Sequence, residues 1–548
     1  MNGLQHVAAR LQAARPRLAE WADDATALAR LTRDFPLFLK NPVTLAVARE
    51  RLADRLARRE ERLLTIVERS VYNDQRSPYR RLLRHVGCEF GDFRALVSRE
   101  GIEGALGQLA DRGVYVTFEE QKGRRDVVRG SLRFTCRESD LDNITVRPHL
   151  ILTTGGSTGR PGRVRFSLAA IEEWATSIAM VYEAHGVYRY PEAYWWPVAI
   201  YWCFIAARMD RPTASWFYPV HPLPRVVTLA ARYLALVARL HGGRLPVPQR
   251  ADLDRPEQMV AWVTGQLQTN GPLILRSFPS SAARLSLAAL AAGKRLDGLT
   301  VVAGGEPVTE TRRQQIESAG ARVIVLYASM EVNGLSYSCA APTASDDVHV
   351  MTDRYALIQR PRTVLPGSPE VNSLLITSLQ PTAGKIAFNL EIGDTATVEE
   401  RDCGCLLGQR GLRLHLSGIH SYEKLTGEGV TFARSNLQQI LDAELPSQFG
   451  GTSLDYQLAE EEAADGSTRL ILRVSPAVGT VDEARLRDVL LAELGRDSAG
   501  AQYQAAIWRD AGTVLVRREP PRATQGGKVL PFQFLKPPVR PGGGSTLH

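Results

Sequence analysis

Leu45, Leu52, Leu56, Leu63 and Val67 recur at alternating spacings of seven and four, drawing one apolar stripe, so residues 1–72 read as helices. The remaining face carries Arg49, Arg51, Arg55, Arg58, Arg59 and Arg62, interleaved with Glu50, Asp54, Glu60, Glu61 and Glu68. Such a mixed-sign face reads as solvated and laced with surface ion pairs, not as a nucleic-acid surface. From about residue 144 the texture changes. Short apolar runs at 144–152, 273–275, 300–302 and 323–326 predict strands. Helices are expected between them, one capped by Ser167 and running through Trp174, Ile178 and Tyr182, others at 282–292 and 310–318. Strands alternating with helices predict largely parallel α/β layers. After Gly427 the pattern becomes smaller and self-contained, with strands at 453–458, 469–474 and 513–517 and a helix at 481–494.

The expected fold is α/β: a large N-terminal domain of layered mixed or parallel sheets and helices, then a small, mobile C-terminal α+β domain. The divisions predicted are an N-terminal helical region (1–143), a binding core (144–426), the small domain (427–535) and a Pro/Gly-rich, disordered tail (536–548).

Composition narrows the classes. At 548 residues the chain needs more than one core, and 44% hydrophobic with 23% charged residues excludes a disordered, collagenous or polytopic membrane chain. The balance of 67 basic to 59 acidic residues (+8) suits an anionic ligand but makes no nucleic-acid footprint. Residues 194–207 are apolar but include Pro197 and fall short of the ~20 residues a membrane span needs. They read as buried helix or pocket wall. Six cysteines exclude a disulfide scaffold, and the start lacks the layout of a signal peptide, so a cytoplasmic location is expected. Cys403-Gly404-Cys405 lacks a second pair or a histidine cluster in the sequence, and Cys88, Cys136, Cys203 and Cys339 are scattered. No metal site built from them is expected.

The strongest chemical signal is Thr153-Thr154-Gly155-Gly156-Ser157-Thr158-Gly159-Arg160-Pro161-Gly162-Arg163, directly after a predicted strand. Glycines permit close backbone approach, so successive N–H groups can point at one anion. Ser157 and Thr158 add hydroxyls, and Arg160 and Arg163 add charge, which suits a triphosphate. The P-loop and dinucleotide fingerprints both fail. The segment 155–159 does satisfy G-x-S-x-G, but a nucleophile elbow turns straight into a helix, whereas Arg160-Pro161-Gly162 and the extended 164–166 follow here. The elbow and a plain turn remain as alternatives to the phosphate loop.

The order of several motifs resembles the adenylate-forming superfamily of acyl- and aryl-CoA ligases, adenylation domains and luciferases. The 154–161 loop is similar to its phosphate loop, and Ala303-Gly304-Gly305-Glu306-Pro307 to its adenine-side G-G-E-P segment. Leu326-Tyr327-Ala328-Ser329-Met330-Glu331 resembles Y-G-x-T-E, Ile392-Gly393-Asp394 the ribose-binding G-D, and the segment from Pro521 to Lys528 resembles P-K-T-x-x-G-K. The G-G-E-P style and the paired cysteines look most like the phenylacetate-CoA ligase and acyl-protein synthetase branch.

The resemblance implies an ATP-dependent acid ligase that forms an acyl-adenylate with release of pyrophosphate and passes it to coenzyme A. Thr154, Gly155, Gly156, Ser157, Thr158 and Gly159 would hold phosphates; Gly305, Glu306, Pro307, Tyr327 and Asp394 the nucleoside; Glu331 the Mg²⁺; and Lys528 the developing charge. A small-molecule carboxylate is the implied substrate, with an amine or a carrier-protein thiol as alternative acceptors and a non-catalytic nucleotide-binding relative as the alternative class. The chain departs from the family at the hinge, where Ile419 stands at the arginine of G-R-x-D-D, and before Gly393, where the R-x-G-D arginine is absent. Aromatics from Trp195 to Tyr218, with His221, are read equally as acyl-pocket wall and as core.

Overall fold

In a computed structural model of the protein, the described residues are 2–153, 163–211, 213–219, 225–329, 332–363, 370–421, 426–427, 430–431, 437–462, 468–496, 505, 508–509, 514–524 and 527–535. The N-terminal region is helical, with helices Asn2–Lys40, Leu45–Ala57 and Arg59–Ile66. Thr44 starts the second by accepting the Val47 N–H at 3.3 Å. Leu52, Leu63 and Val67 are buried, and Leu45 and Leu56 pack at the rim. The arginine face departs from expectation. Arg55 is buried and pairs with Asp353 at 2.9 Å, and Arg62 meets Glu173 at 2.8 Å. Arg51 meets Glu172 at 2.5 Å, and Arg49 pairs with Glu183. The cause is the facing helix Leu168–Ala184, which presents Glu172, Glu173 and Glu183, together with Asp353 from much further along the chain; neither is visible to a local pattern.

The strands begin with two hairpins, β1 (Val127–Arg129) with β2 (Leu132–Phe134), and β3 (Leu150–Thr153) with β4 (Arg163–Phe166). The strand expected over 144–152 starts only at Leu150, and Ile144 is exposed. Twelve further strands form one sheet: β5 (Glu192–Trp195), β6 (Thr213–Tyr218), β7 (Pro248–Arg250), β8 (Leu273–Ser277), β9 (Leu299–Gly304), β10 (Arg322–Tyr327), β11 (Ser336–Ser338), β12 (Val348–Val350), β13 (Tyr355–Thr363), β14 (Glu370–Ser378), β15 (Leu390–Glu400) and β16 (Leu414–Ser421). Their spatial order is β7-β6-β5-β8-β9-β10-β11-β12-β16-β15-β14-β13. The half from β7 to β10 is parallel, crossed over by helices such as Pro256–Asn270, Pro279–Ala291 and Glu310–Ser318. β8 and β9 are buried along their whole length, as strands covered on both faces must be.

The other half is antiparallel, so the sheet is mixed, one of the two forms expected for the large domain, and less parallel than the alternation of strands and helices suggested. Between residues 336 and 421 the described residues hold one short helix, Leu406–Gln409. Without crossover helices, successive strands can only turn back on each other.

After β17 (Thr426–Gly427) and β18 (Val430–Thr431), a smaller sheet forms from β19 (Tyr456–Glu462), β20 (Thr468–Val474), β21 (Val514–Arg517) and β22 (Phe532–Leu535), in the order β21-β20-β19-β22. Helix Glu483–Leu494 covers it with Leu486, Leu490, Leu491 and Leu494, giving a second core separate from the large one. Its cap, Asp482, accepts the N–H groups of Ala484 and Arg485. The apolar stretch 194–207 lies inside the large domain as the end of β5 and most of helix Ile200–Arg208. No helix among the described residues is long and apolar enough to cross a membrane.

Candidate active site

β9 and β10 lie side by side, with Gly304 opposite Leu326. A Cβ on Gly304 would come within 2.8 Å of the Leu326 carbonyl oxygen, so glycine is what lets the strands approach. The chain then turns at Gly305, whose φ of +82° favours glycine. Glu306 follows, and its carboxylate is engaged on both oxygens. Oε1 accepts the Ser280 hydroxyl (2.9 Å) and the Val529 N–H (2.7 Å); Oε2 accepts the Ser280 N–H (3.0 Å) and Arg312 Nη1 (3.1 Å). Pro307, next in line, is exposed.

The Val529 contact crosses between the two cores. Other bonds cross with it: Thr309 Oγ1 donates to Asp442 Oδ2 at 2.8 Å, Arg312 Nε lies 3.1 Å from the same oxygen, and Ser453 Oγ donates to Gln315 at 2.6 Å. Burial pushes the Asp442 carboxyl above its usual value, against the pull of the Arg312 guanidinium. Helix Glu310–Ser318 is thus the seat on which the small domain docks.

Docking carries Lys528 to the end of β9. It closes a tight turn in which Gly527 has φ +81°, the Thr524 N–H donates to the Lys528 carbonyl (2.7 Å), and the Lys528 N–H donates to Thr524 Oγ1 (3.2 Å). Lys528 Cε lies 3.3 Å from where a Cβ on Gly305 would be, and Nζ lies 5.7 Å from the centre of the Phe278 ring. Phe278 in turn packs on Trp196, with ring centres 4.2 Å apart.

On the neighbouring strand, Tyr327 ends β10, and its hydroxyl donates to Asp394 Oδ2 at 2.7 Å. Asp394 sits in β15 after Gly393 (φ +81°), whose carbonyl accepts the Ser421 hydroxyl at 3.1 Å. Gly305, Glu306, Lys528, Tyr327 and Asp394, 223 residues apart at the widest from Gly305 to Lys528, therefore meet at the C-terminal edge of the parallel strands. That edge is where open α/β sheets bind ligands.

Glu331 and Thr154, Gly155, Gly156, Ser157, Thr158 and Gly159 lie outside the described residues, as do His221 and Gly526. The stems of the 154–162 loop are described, and they bear on one of the alternatives for it, the nucleophile elbow. β3 passes into β4 as an antiparallel hairpin, Thr153 opposite Arg163. A nucleophile elbow needs a helix there, so the hydrolase alternative fails. Arg163 does not add its charge to the loop: it pairs with Asp24 at 2.5 Å, while Arg165 pairs with Asp23 at 2.8 Å. Most aromatics of the 195–218 stretch belong to the core. The Trp195 indole donates to the Ala251 carbonyl, the Trp216 indole to the Trp196 carbonyl, and Trp202 lies 3.7 Å under the buried Arg276 guanidinium. Trp196 and Tyr218 are the half-buried exceptions, and Trp196 faces Phe278. At the divergent hinge, the Gly418 and Ile419 N–H groups donate to Asp346 at 3.0 and 2.7 Å.

Phe278, Ser280, Arg312 and Asp442 are the residues that sequence reasoning missed. Their significance comes from β8 ending beside β9 and from domain docking, and neither leaves a local signal.

No family model and no curated protein sequence matches this chain. Among solved structures, 2-hydroxyisobutyryl-CoA ligase in its postadenylation state, in complex with 2-HIB-AMP, aligns over 87% of this chain and 89% of that one, at 14% identity and a TM-score of 0.52. The fold is that of the adenylate-forming ligases. ATP-bound MatB from Rhodopseudomonas palustris aligns over 69% of this chain and 66% of that one, at 14% identity and a TM-score of 0.41. Anthranilate-CoA ligase AuaEII in complex with anthranoyl-AMP aligns over 70% and 66%, at 10% identity and a TM-score of 0.40. In this adenylate-forming fold Lys528 belongs to the small domain and Gly305 to the large one, so the two meet only when the domains are docked. The phenylacetate-CoA ligase and acyl-protein synthetase branch is not singled out by these matches.

Proposed function

We propose that the protein is an ATP-dependent ligase that activates a small carboxylic acid as its acyl-adenylate. The observation that carries this reading is Lys528 docked at Gly305, one strand away from the Tyr327–Asp394 pair. The acid's carboxylate attacks the α-phosphorus of ATP, a new P–O bond forms, and pyrophosphate leaves. The protein forms no covalent bond in this step, so its work is positioning and charge stabilisation.

Tyr327 offers its ring to the adenine, and its hydroxyl orients the Asp394 carboxylate toward ribose hydroxyls. Lys528 donates to the oxygens where charge builds, an interaction strongest in the transition state. Glu306 has protein donors on both carboxylate oxygens. We therefore assign it to positioning: it latches the small domain so that Lys528 reaches the site, and leaves nucleotide contact to the backbone of Gly305 and its neighbours. The glycine-rich segment from Thr154 to Gly159, which lies between β3 and β4 in sequence, would hold the phosphates. Glu331 supplies the carboxylate suited to the Mg²⁺ that accompanies ATP, a hard cation preferring oxygen ligands.

For the second half-reaction we propose the thiol of coenzyme A as acceptor, because the structure aligned over most of both chains is a CoA ligase. The test is ATP–pyrophosphate exchange over a panel of aliphatic, hydroxylated and aromatic carboxylates, followed by acceptor-dependent AMP release. Exchange driven by one acid, with AMP as product, supports the reading. ADP as product, or no exchange with any acid in a protein that binds ATP, would overturn it. AMP release driven by an amine or a carrier protein instead of coenzyme A would change the acceptor alone.

A further inference from the structure

Away from the proposed active site, the antiparallel half of the sheet brings together four side chains that are distant in sequence. Cys339 follows β11, His349 is the central residue of β12, and Cys403 and Cys405 flank Gly404 in the turn before helix Leu406–Gln409. His349 Nε2 lies 3.1 Å from Cys405 Sγ and 3.7 Å from Cys403 Sγ. With Cys339 Sγ included, all four ligand atoms lie within 4.8 Å of one another. No disulfide joins any of these cysteines.

The two nitrogen–sulfur separations, 3.1 and 3.7 Å, bracket the edge of a tetrahedral ion's shell. Zinc bonds sulfur at about 2.3 Å and imidazole nitrogen at about 2.0–2.1 Å, which sets ligand atoms about 3.4–3.8 Å apart along the tetrahedron's edges. The groups are also oriented for it. His349 Nδ1 donates to the Leu412 carbonyl at 2.7 Å, which leaves the Nε2 lone pair facing the sulfurs. The Ala341 N–H donates to Cys339 Sγ at 3.3 Å. Gly404, with φ +71°, lets the two flanking thiols turn to one side. Gly408 makes room for one of them, since a Cβ there would come within 3.0 Å of Cys403 Sγ. Asp347 and His415 also approach Cys339, but they hold each other at 2.8 Å, and Asp347 additionally accepts Arg401 at 2.6 Å.

We propose that Cys339, His349, Cys403 and Cys405 bind one Zn²⁺ as a closed structural site. Three thiols lose their protons as the metal binds, so the site carries one net negative charge. Four protein ligands fill the tetrahedron and leave no position for substrate. Cys339, His349 and Cys405 are buried, which also fits a structural role. The ion would staple the 339–347 turn, β12 and the 403–405 turn across the centre of the sheet. Ser336 pairs with Tyr327, and β11 runs from there to Cys339 three residues on, about 10 Å down the sheet. The site therefore supports the strands that carry Tyr327 and Asp394 from below. The cysteine pair alone is a weak sequence signal because its histidine partner lies 54 residues upstream.

The test is elemental analysis of the full chain purified with reductant from zinc-supplemented culture. About one zinc per chain is expected after dialysis, retained in Cys88→Ser and Cys203→Ser and lost in the double variant Cys403→Ser/Cys405→Ser. Because that variant risks unfolding, X-ray absorption on the wild type provides a second measurement. Three sulfurs near 2.3 Å and one nitrogen near 2.0–2.1 Å are expected. Co²⁺ substitution should also give the intense visible bands of a tetrahedral thiolate site. Metal content below about a tenth per chain, a disulfide among these thiols, an iron–sulfur cluster, or a first shell of oxygens would overturn the proposal.

Discussion

Glu306→Gln isolates the contact that places Lys528. The amide keeps the size of the side chain but removes its charge and turns one oxygen into a donor. If the NH₂ takes the place of Oε1, it faces the Val529 N–H; if it takes the place of Oε2, it faces the Ser280 N–H and Arg312. Either rotamer sets donor against donor in a buried site. Arg312 keeps its contact with Asp442 of the small domain at 3.1 Å, so that guanidinium stays paired across the interface. The bond between domains that suffers is the one to Val529, lost in the first rotamer and reduced to a neutral acceptor in the second. A hydrogen bond to a charged group is worth about 1.5–3 kcal/mol, which corresponds to about a 10- to 150-fold shift in the docking equilibrium. Adenylation, measured by ATP–pyrophosphate exchange, should fall by up to that factor. Transfer from a chemically made acyl-adenylate to the acceptor should fall far less, because it does not need Lys528 at the α-phosphate. A folded variant whose exchange rate stays within threefold of wild type would refute the latch.

Lys528→Ala should cut adenylation by about 10²–10³ while ATP binding and the thermal midpoint change little, read by exchange kinetics and calorimetry. Tyr327→Phe removes the donor to Asp394 and should raise the KM for ATP about fivefold, at about 1 kcal/mol, with a smaller change in kcat. Gly384→Ala would drive a methyl into the carbonyl of Arg165 on β4. The forced backbone shift should cost about 1–3 kcal/mol, lower the melting temperature and raise the KM for ATP through the β3–β4 hairpin.

Short apolar runs made three strands of the parallel half legible, whereas β5, β6 and β7 were not read as strands. β8, β9 and β10 are short apolar runs bounded by breakers, and helix Glu310–Ser318 lies where it was expected. The antiparallel half was not legible, because β13 to β16 carry mixed burial and their pairing depends on partners far along the chain. The site divides in the same way. Gly305, Tyr327, Asp394 and Lys528 announced themselves through motif order. Ser280, Arg312 and Asp442 did not, since a serine at a helix start or a lone acid acquires meaning only when Glu306 or the docked domain meets it. The arginine face misled for a related reason: Arg55 looks solvated until Asp353, nearly 300 residues away, is folded against it.

The central claim is that a carboxylate attacks the α-phosphorus of ATP. Once exchange has identified an acid that drives the reaction, that acid labelled with ¹⁸O in its carboxylate gives the most direct measurement. Mass spectrometry of the products after transfer to the acceptor should find one ¹⁸O in AMP and none in pyrophosphate, with labelled AMP formed about 10²–10³ more slowly in Lys528→Ala. Label in inorganic phosphate beside ADP, or unlabelled AMP during turnover, would contradict the account.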